Sequence, residues 1–83
     1  MDYKEICTEL YVCWDDDGVP TEYKVKGTIG NMDPEDAWII PWDYSIDVYN
    51  NHLRLAQSLA KDSWVSVDLR GTAMGTGYIF NPK

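Results

Sequence analysis

The side chains in this chain that could carry chemistry are one imidazole, two thiols, a crowd of carboxylates and a short glycine-rich run. General acid–base work needs an acid or base held beside a reacting group, and His52 is the only histidine. It falls near the start of an apolar-periodic segment and points toward its apolar side, which makes it a packed structural residue. Cys7 and Cys13 have no basic neighbour apart from Lys4 to lower a thiol pKa, and neither sits in a protease-type signature. Asp15-Asp16-Asp17-Gly18 invites comparison with a calcium loop, but the spacing fails. Aligning Gly18 with the loop glycine puts Cys13 at the first ligand position and Lys24 where a bidentate glutamate belongs. Gly71 to Gly77 contains three glycines but no following Lys-Ser/Thr and no helix, so it fits neither a phosphate loop nor a dinucleotide fingerprint. The expectation is a protein without catalysis, metal or cofactor.

What the carboxylates do offer is a field. Met1 to Asn50 hold 12 acids against 3 lysines, a net of −9, while Asn51 to Lys83 hold 2 acids against 4 bases, a net of +2. The overall charge is −7. Such a field repels nucleic acid and anionic membrane and attracts basic surfaces. Asp15, Asp16, Asp17, Glu22, Asp33, Glu35, Asp36, Asp43 and Asp47 fall in turns or at element ends, where carboxylates project freely. Trp38 and Trp42, flanked by Asp36 and Asp43, are the apolar anchors that an acidic interface still needs. These eleven residues are the candidate partner-binding set.

The elements that must position them follow from periodicity. Glu5 to Trp14 alternates as a half-buried strand, with Ile6, Leu10, Val12 and Trp14 on one face and Glu9 on the other. Asp-Gly and Pro20 turn the chain into a second strand, Thr21 to Ile29, with Tyr23, Val25 and Ile29 inward and Glu22, Lys24, Lys26 and Thr28 outward. Asp33-Pro34 with acids behind it predicts a short helical turn. Pro41 disfavours helix before it, leaving Trp38-Ile39-Ile40 extended or coil. Apolar residues at three- and four-residue steps then predict a helix over about 45–61, roughly 25 Å long, capped by Asp43 or Ser45. Its polar face takes in Asp47, Asn50, Asn51, Arg54, Gln57, Ser58 and Lys61. Val65, Val67 and Leu69 alternate inward with Trp64 outward as a third strand; Arg70-Gly71 offers a turn, and Ala73 to Phe80 makes a fourth, where Gly75 and Gly77 suggest a bulge or a close backbone approach.

The expected fold is α+β, one domain over 1–83: a four-stranded antiparallel sheet (ββαββ) with one amphipathic helix on one face. The alternative adds a strand near Trp42 to Tyr49, giving βββαββ, the element order of the five-stranded oligonucleotide-binding barrel. Four Trp and six Tyr supply most of the core. Cys7 and Cys13, six residues apart on one strand, would lie about 20 Å apart and stay reduced. The first residues lack a secretion signal and no apolar run approaches a membrane span, so the expectation is a soluble cytoplasmic protein.

In size, charge and lack of catalytic residues the chain resembles phage-encoded anti-restriction and anti-CRISPR proteins and toxin-immunity proteins, a resemblance of type carried by no motif. It implies a small acidic inhibitor that engages a basic surface of a nucleic-acid-processing protein, mimicking nucleic acid, in the host cytoplasm if phage-encoded. Two alternatives stand beside it. One is a single-strand nucleic-acid or small-ligand module using the outer sheet face, where Tyr11, Lys24, Lys26, Trp64 and Arg70 mix rings and bases. The field opposes that reading, because 7 bases against 14 acids leave little counterion release. The other is a structural subunit that self-associates through an aromatic patch.

Overall fold

A computed structural model describes residues 5–63 and 66–83. Over these, the chain forms β1 (Ile6–Trp14), β2 (Pro20–Ile29), a 3₁₀ turn (Pro34–Asp36), β3 (Trp38–Pro41), α1 (Val48–Asp62), β4 (Leu69–Met74) and β5 (Gly77–Pro82). The fold is α+β: one five-stranded antiparallel sheet in the order β3-β2-β1-β5-β4, with one helix. The strand count corrects the four-stranded expectation and matches the βββαββ alternative. The extra strand is Trp38–Pro41, however, one segment earlier than Trp42 to Tyr49, and β3 and β4 remain the edges of an open sheet. Pro41 is tolerated because β3 lies at an edge, where a missing N–H breaks no ladder.

Cross-strand pairs fix the two faces. Ile6↔Ile29, Thr8↔Gly27 and Leu10↔Val25 share the helix side with Phe80 and Tyr78 of β5 and with Trp38 and Ile40 of β3. On that side Ile6, Val25, Ile29, Leu55, Ala56, Leu59, Ala60, Leu69 and Phe80 form the buried core. Gly27 lies directly under α1: a Cβ there would meet Leu55 at 3.0 Å and Leu59 at 3.2 Å. The aromatic expectation for the core needs correction. Among the described residues Phe80 is the one fully buried ring residue besides His52, while Trp38, Trp42, Tyr49 and Tyr78 are partly buried against the core.

Two boundaries differ from expectation for local reasons. The last hairpin turns at Gly75-Thr76, where Gly75 has φ +61, the left-handed geometry that two-residue hairpin turns require. Gly71, expected as the turn, pairs with Phe80 within the ladder; a Cβ there would meet the rings of Phe80 at 2.5 Å and Tyr49 at 2.9 Å, so packing accounts for that glycine. Gly77 makes the close backbone approach anticipated for it, since a Cβ would fall 1.7 Å from the Thr8 carbonyl oxygen. The helix begins at Val48 instead of Ser45 because Asp47, in extended backbone, caps it by accepting from the Asn50 amide at 2.8 Å. The expected placements of Trp64 and Val65 lie outside the described residues, and Val67 is exposed.

The β1–β2 ribbon outruns its neighbours. β5 pairs with β1 only at Ile6 to Glu9, and β3 pairs with β2 only at Lys24 to Gly27. The half carrying Leu10 to Trp14 and Pro20 to Tyr23 therefore extends as two strands, and the molecule measures 48 × 27 × 21 Å. A lone two-stranded ribbon is marginal in water. Its inner face needs a cover, and the segment between β3 and α1 partly supplies it.

Candidate functional site

That cover is organised by a residue expected on the polar face of the helix. Asn51 is fully buried, a correction to its predicted solvent exposure. Its Oδ1 accepts from the Asp43 amide at 2.8 Å, and its Nδ2 donates to the carbonyls of Asp43 (2.9 Å), Asp47 (3.0 Å) and Ile46 (3.4 Å). Arg54 adds hydrogen bonds to Asn51 Oδ1 at 3.3 Å and to the Pro41 carbonyl. The Asp43 carboxylate closes the turn by accepting from the Ser45 amide at 2.9 Å and its hydroxyl at 2.6 Å. Those bonds, the side-chain one foremost, hold the Asp43 carboxyl below its ordinary range, with Arg54 contributing. The 42–47 segment is thus a fixed loop, and the Trp42 amide ties it to the Tyr23 carbonyl at 3.1 Å.

Between this loop and the projecting ribbon lies a groove of about 330 Å³, lined by Leu10, Tyr23, Trp42, Tyr44, Val48, His52 and Thr76. Its walls are almost wholly carbon, and several large side chains stay exposed along it: Tyr44 at 75%, Val48 at 55% and Tyr23 at 38%. Ile46, inside the expected helix of about 45–61, lies before its observed start and is also exposed. His52 forms part of the wall and is 1% exposed. Its Nδ1 lies 2.7 Å from Thr8 Oγ1, and its ring meets Trp42 edge-on at 5.8 Å and Tyr78 at 4.9 Å. Thr8 Oγ1 also donates to the Tyr78 carbonyl at 3.5 Å. Thr8 and Nδ1 thus share one short hydrogen bond, and Nε2 has no partner among the described residues. Burial lowers the His52 pKa, so the imidazole is neutral at physiological pH.

The expected partner-binding residues divide between two ends. Asp15, Asp16 and Asp17 form the ribbon tip, where the Asp15 carboxylate accepts from the amides of Asp17 and Val19, both at 2.9 Å, and so serves as a turn cap. Trp42, Asp43 and Asp47 stand at the helix start on the same end. Asp33, Glu35, Asp36 and Trp38 lie at the opposite end, on the β2–β3 connection. Trp38 lines a different depression, with Ser58, Lys61 and Asp62. Along an extended strand the two tryptophans are about 13 Å apart. Glu22, opposite Cys13 on the projecting ribbon, stands at the tip end but projects from the open face, where it pairs with Lys24 at 3.9 Å.

The open face, opposite the helix, gathers Tyr11, Lys24, Lys26 and Arg70 by register, with Glu9 and Glu22. Lys26 Nζ sits 5.9 Å from the Tyr11 ring centroid. Cys7 and Cys13 share this face as free thiols. Burial, then Glu5, raises the Cys7 thiol pKa, which keeps it protonated. Among the described residues no three His, Cys, Asp or Glu side chains converge to hold a metal, and no helix is long and apolar enough to cross a membrane. Sequence reasoning missed Asn51, Tyr44, Val48 and Leu10 as site residues; the Asp47-x-x-Asn50 capping pattern was the available signal that the helix starts at Val48 and not at Ser45. No protein-family model, curated protein or solved structure matches this chain.

Proposed function

We propose that this chain is a small non-enzymatic binding protein, of the inhibitor type, that engages a basic surface of a nucleic-acid-processing protein with its ribbon-tip end. The observation that carries this reading is the carbon-walled groove at the helix start with Asp43 and Asp47 in the loop that forms it. Among the described residues neither carboxylate is in an ion pair. Acids outside any ion pair, beside exposed rings, match the anatomy of a contact in which charge accelerates encounter and buried aromatics slow release. Asp15, Asp16 and Asp17 extend the negative field along the same end. The Asp33, Glu35, Asp36 and Trp38 group is not required by this reading.

The test is capture from a bacterial lysate on the immobilised wild-type chain, in parallel with an Asp43→Asn/Asp47→Asn/Tyr44→Ala variant. Asparagine keeps both caps. Basic nucleic-acid-binding proteins should be retained by the wild type, elute with moderate salt, and be lost by the variant. Retention of the same proteins by both chains would contradict the reading.

A second reading is favoured by Tyr11, Lys24 and Lys26 clustered on the open face, with Arg70 on the same face at the far edge strand, a surface suited to single-stranded nucleic acid. Anisotropy of a labelled oligonucleotide at low salt tests it. Binding weakened by Lys26→Ala and Arg70→Ala supports this use of the face; no binding removes it.

A further inference from the structure

The groove has a narrower chemistry than a basic surface in general. Its volume of about 330 Å³ lies at the lower bound of small-molecule sites, room for a side chain or two and too little for a helix or a stack of bases. Three aromatic side chains from three different places line it: Tyr23 from β2, Trp42 after β3 and Tyr44 from the loop. Leu10 and Val48 add aliphatic wall, and His52 adds a buried neutral imidazole whose Nε2 lacks a partner. Tyr44 contributes nothing to the core, so folding alone gives no reason for its place. Aromatic faces attract cations, most strongly where water is excluded. Asp43, between Trp42 and Tyr44, and Asp47, next to Val48, add negative charge that forms no ion pair among the described residues, Arg54 offsetting part of the Asp43 charge from a distance.

We propose that this groove seats the side chain of an arginine presented by the basic partner, its aliphatic stem along Leu10 and Val48 and its guanidinium against Tyr23, Trp42 and Tyr44. The proposal rests on the function proposed above and names the group that the site reads. Arginine fits better than lysine. A planar, weakly hydrated guanidinium stacks on rings and gives up less hydration on entering a carbon-walled groove than a compact ammonium does. The stem buries its methylenes on the aliphatic wall while the charged head stays in the field of the acids. A second copy of this chain is the poorer occupant, because each copy carries −7 and they repel.

The experiment is an NMR titration of ¹⁵N-labelled full chain at low salt with hexa-arginine, hexa-lysine and hexa-glutamine. Wild-type protein is compared with a Tyr23→Ala/Tyr44→Ala variant and with Asp43→Asn/Asp47→Asn. Both tyrosines are exposed, so the aromatic variant keeps its fold, which its own amide spectrum verifies. Hexa-arginine should shift the Trp42 indole and the amides of Tyr44, Val48 and Thr76, bind several-fold more tightly than hexa-lysine, and leave hexa-glutamine inert. The aromatic variant should bind hexa-arginine about tenfold more weakly, the loss expected from removing two cation–π contacts. Equal affinity for the two cationic peptides, or an aromatic variant that binds like wild type while the carboxylate variant does not, would overturn the arginine seat and leave the acidic-surface function standing. No shift with either cationic peptide would overturn both.

Discussion

Trp38 and Trp42 stand at the two ends of the same short strand, each beside acidic residues, yet the surroundings they enter are opposite. Trp38 shares its depression with Lys61 and Asp62, so a cation and an anion from α1 already sit there. Trp42 opens onto a groove that no charged side chain lines among the described residues. The acids near Trp38 ride on an exposed 3₁₀ turn with no buried residue, whereas Asp43 is locked in place by Ser45 and Asn51 and Asp47 by its cap. Carboxylate count alone therefore does not define a site. What separates the two ends is a fixed loop and an apolar floor beside acids that are hydrogen-bonded in place yet form no ion pair among the described residues.

The difference can be broken most severely at Asn51. Asn51→Ala removes the clamp: the part-buried Asp43 amide loses its acceptor, and the Asp43 and Asp47 carbonyls keep only their backbone donors from Ile46 and residue 51, a cost of about 2 kcal/mol. Urea denaturation should show that loss. Crosspeaks of residues 42–48 should move while those around Trp38 stay, and a uniform change across both ends would deny that the loop is held independently.

Next in size is a pH effect at the groove wall. The unfolded chain protonates His52 near its ordinary 6.5, whereas the folded chain resists because burial lowers the pKa. Below 6.5 the unfolded state then binds more protons, so stability is full above that pH and declines as pH falls through the folded value. Asp43, held below 3.8, titrates beneath this window. The urea midpoint should drop between pH 7 and the folded pKa, and His52→Gln should flatten that slope whatever its absolute stability.

The smallest expected change sharpens the role of the helix start. Asp47→Ala should cost about 1 kcal/mol through the lost cap, while Asp47→Asn should stay within a few tenths. Equal losses in both variants would mean that the charge at the dipole, and not the Asn50 hydrogen bond, is what matters there.

Much of the scaffold was legible before the structure, because hydrophobic period reports it directly. The β1–β2 hairpin, the inward set Ile6, Leu10, Val25 and Ile29, and the helix all follow from alternation and three-to-four spacing. β3 did not, since four residues carry no period and its pairing comes from β2. The glycines of the last hairpin were misassigned because the sequence does not distinguish one that turns, Gly75, from one that makes room for rings, Gly71. The site was legible only in its acids and Trp42. Asn51 reads as a surface residue until its amide is seen satisfying loop groups from both sides, and Tyr44, already outside the expected helix, carries no sequence signal that it would line a groove with the ribbon.

The central claim is that the ribbon-tip end, and not the acidic character of the whole chain, meets a cationic partner. Two neutralised variants test it against each other: Asp15→Asn/Asp16→Asn/Asp17→Asn/Asp43→Asn/Asp47→Asn, and Asp33→Asn/Glu35→Gln/Asp36→Asn. Each is titrated with hexa-arginine over a range of salt concentrations. The tip variant should lose most of the affinity and the salt dependence, and the far-end variant should keep both, offset only by weaker long-range attraction. Equal losses in the two variants, or a greater loss at the far end, would contradict the account.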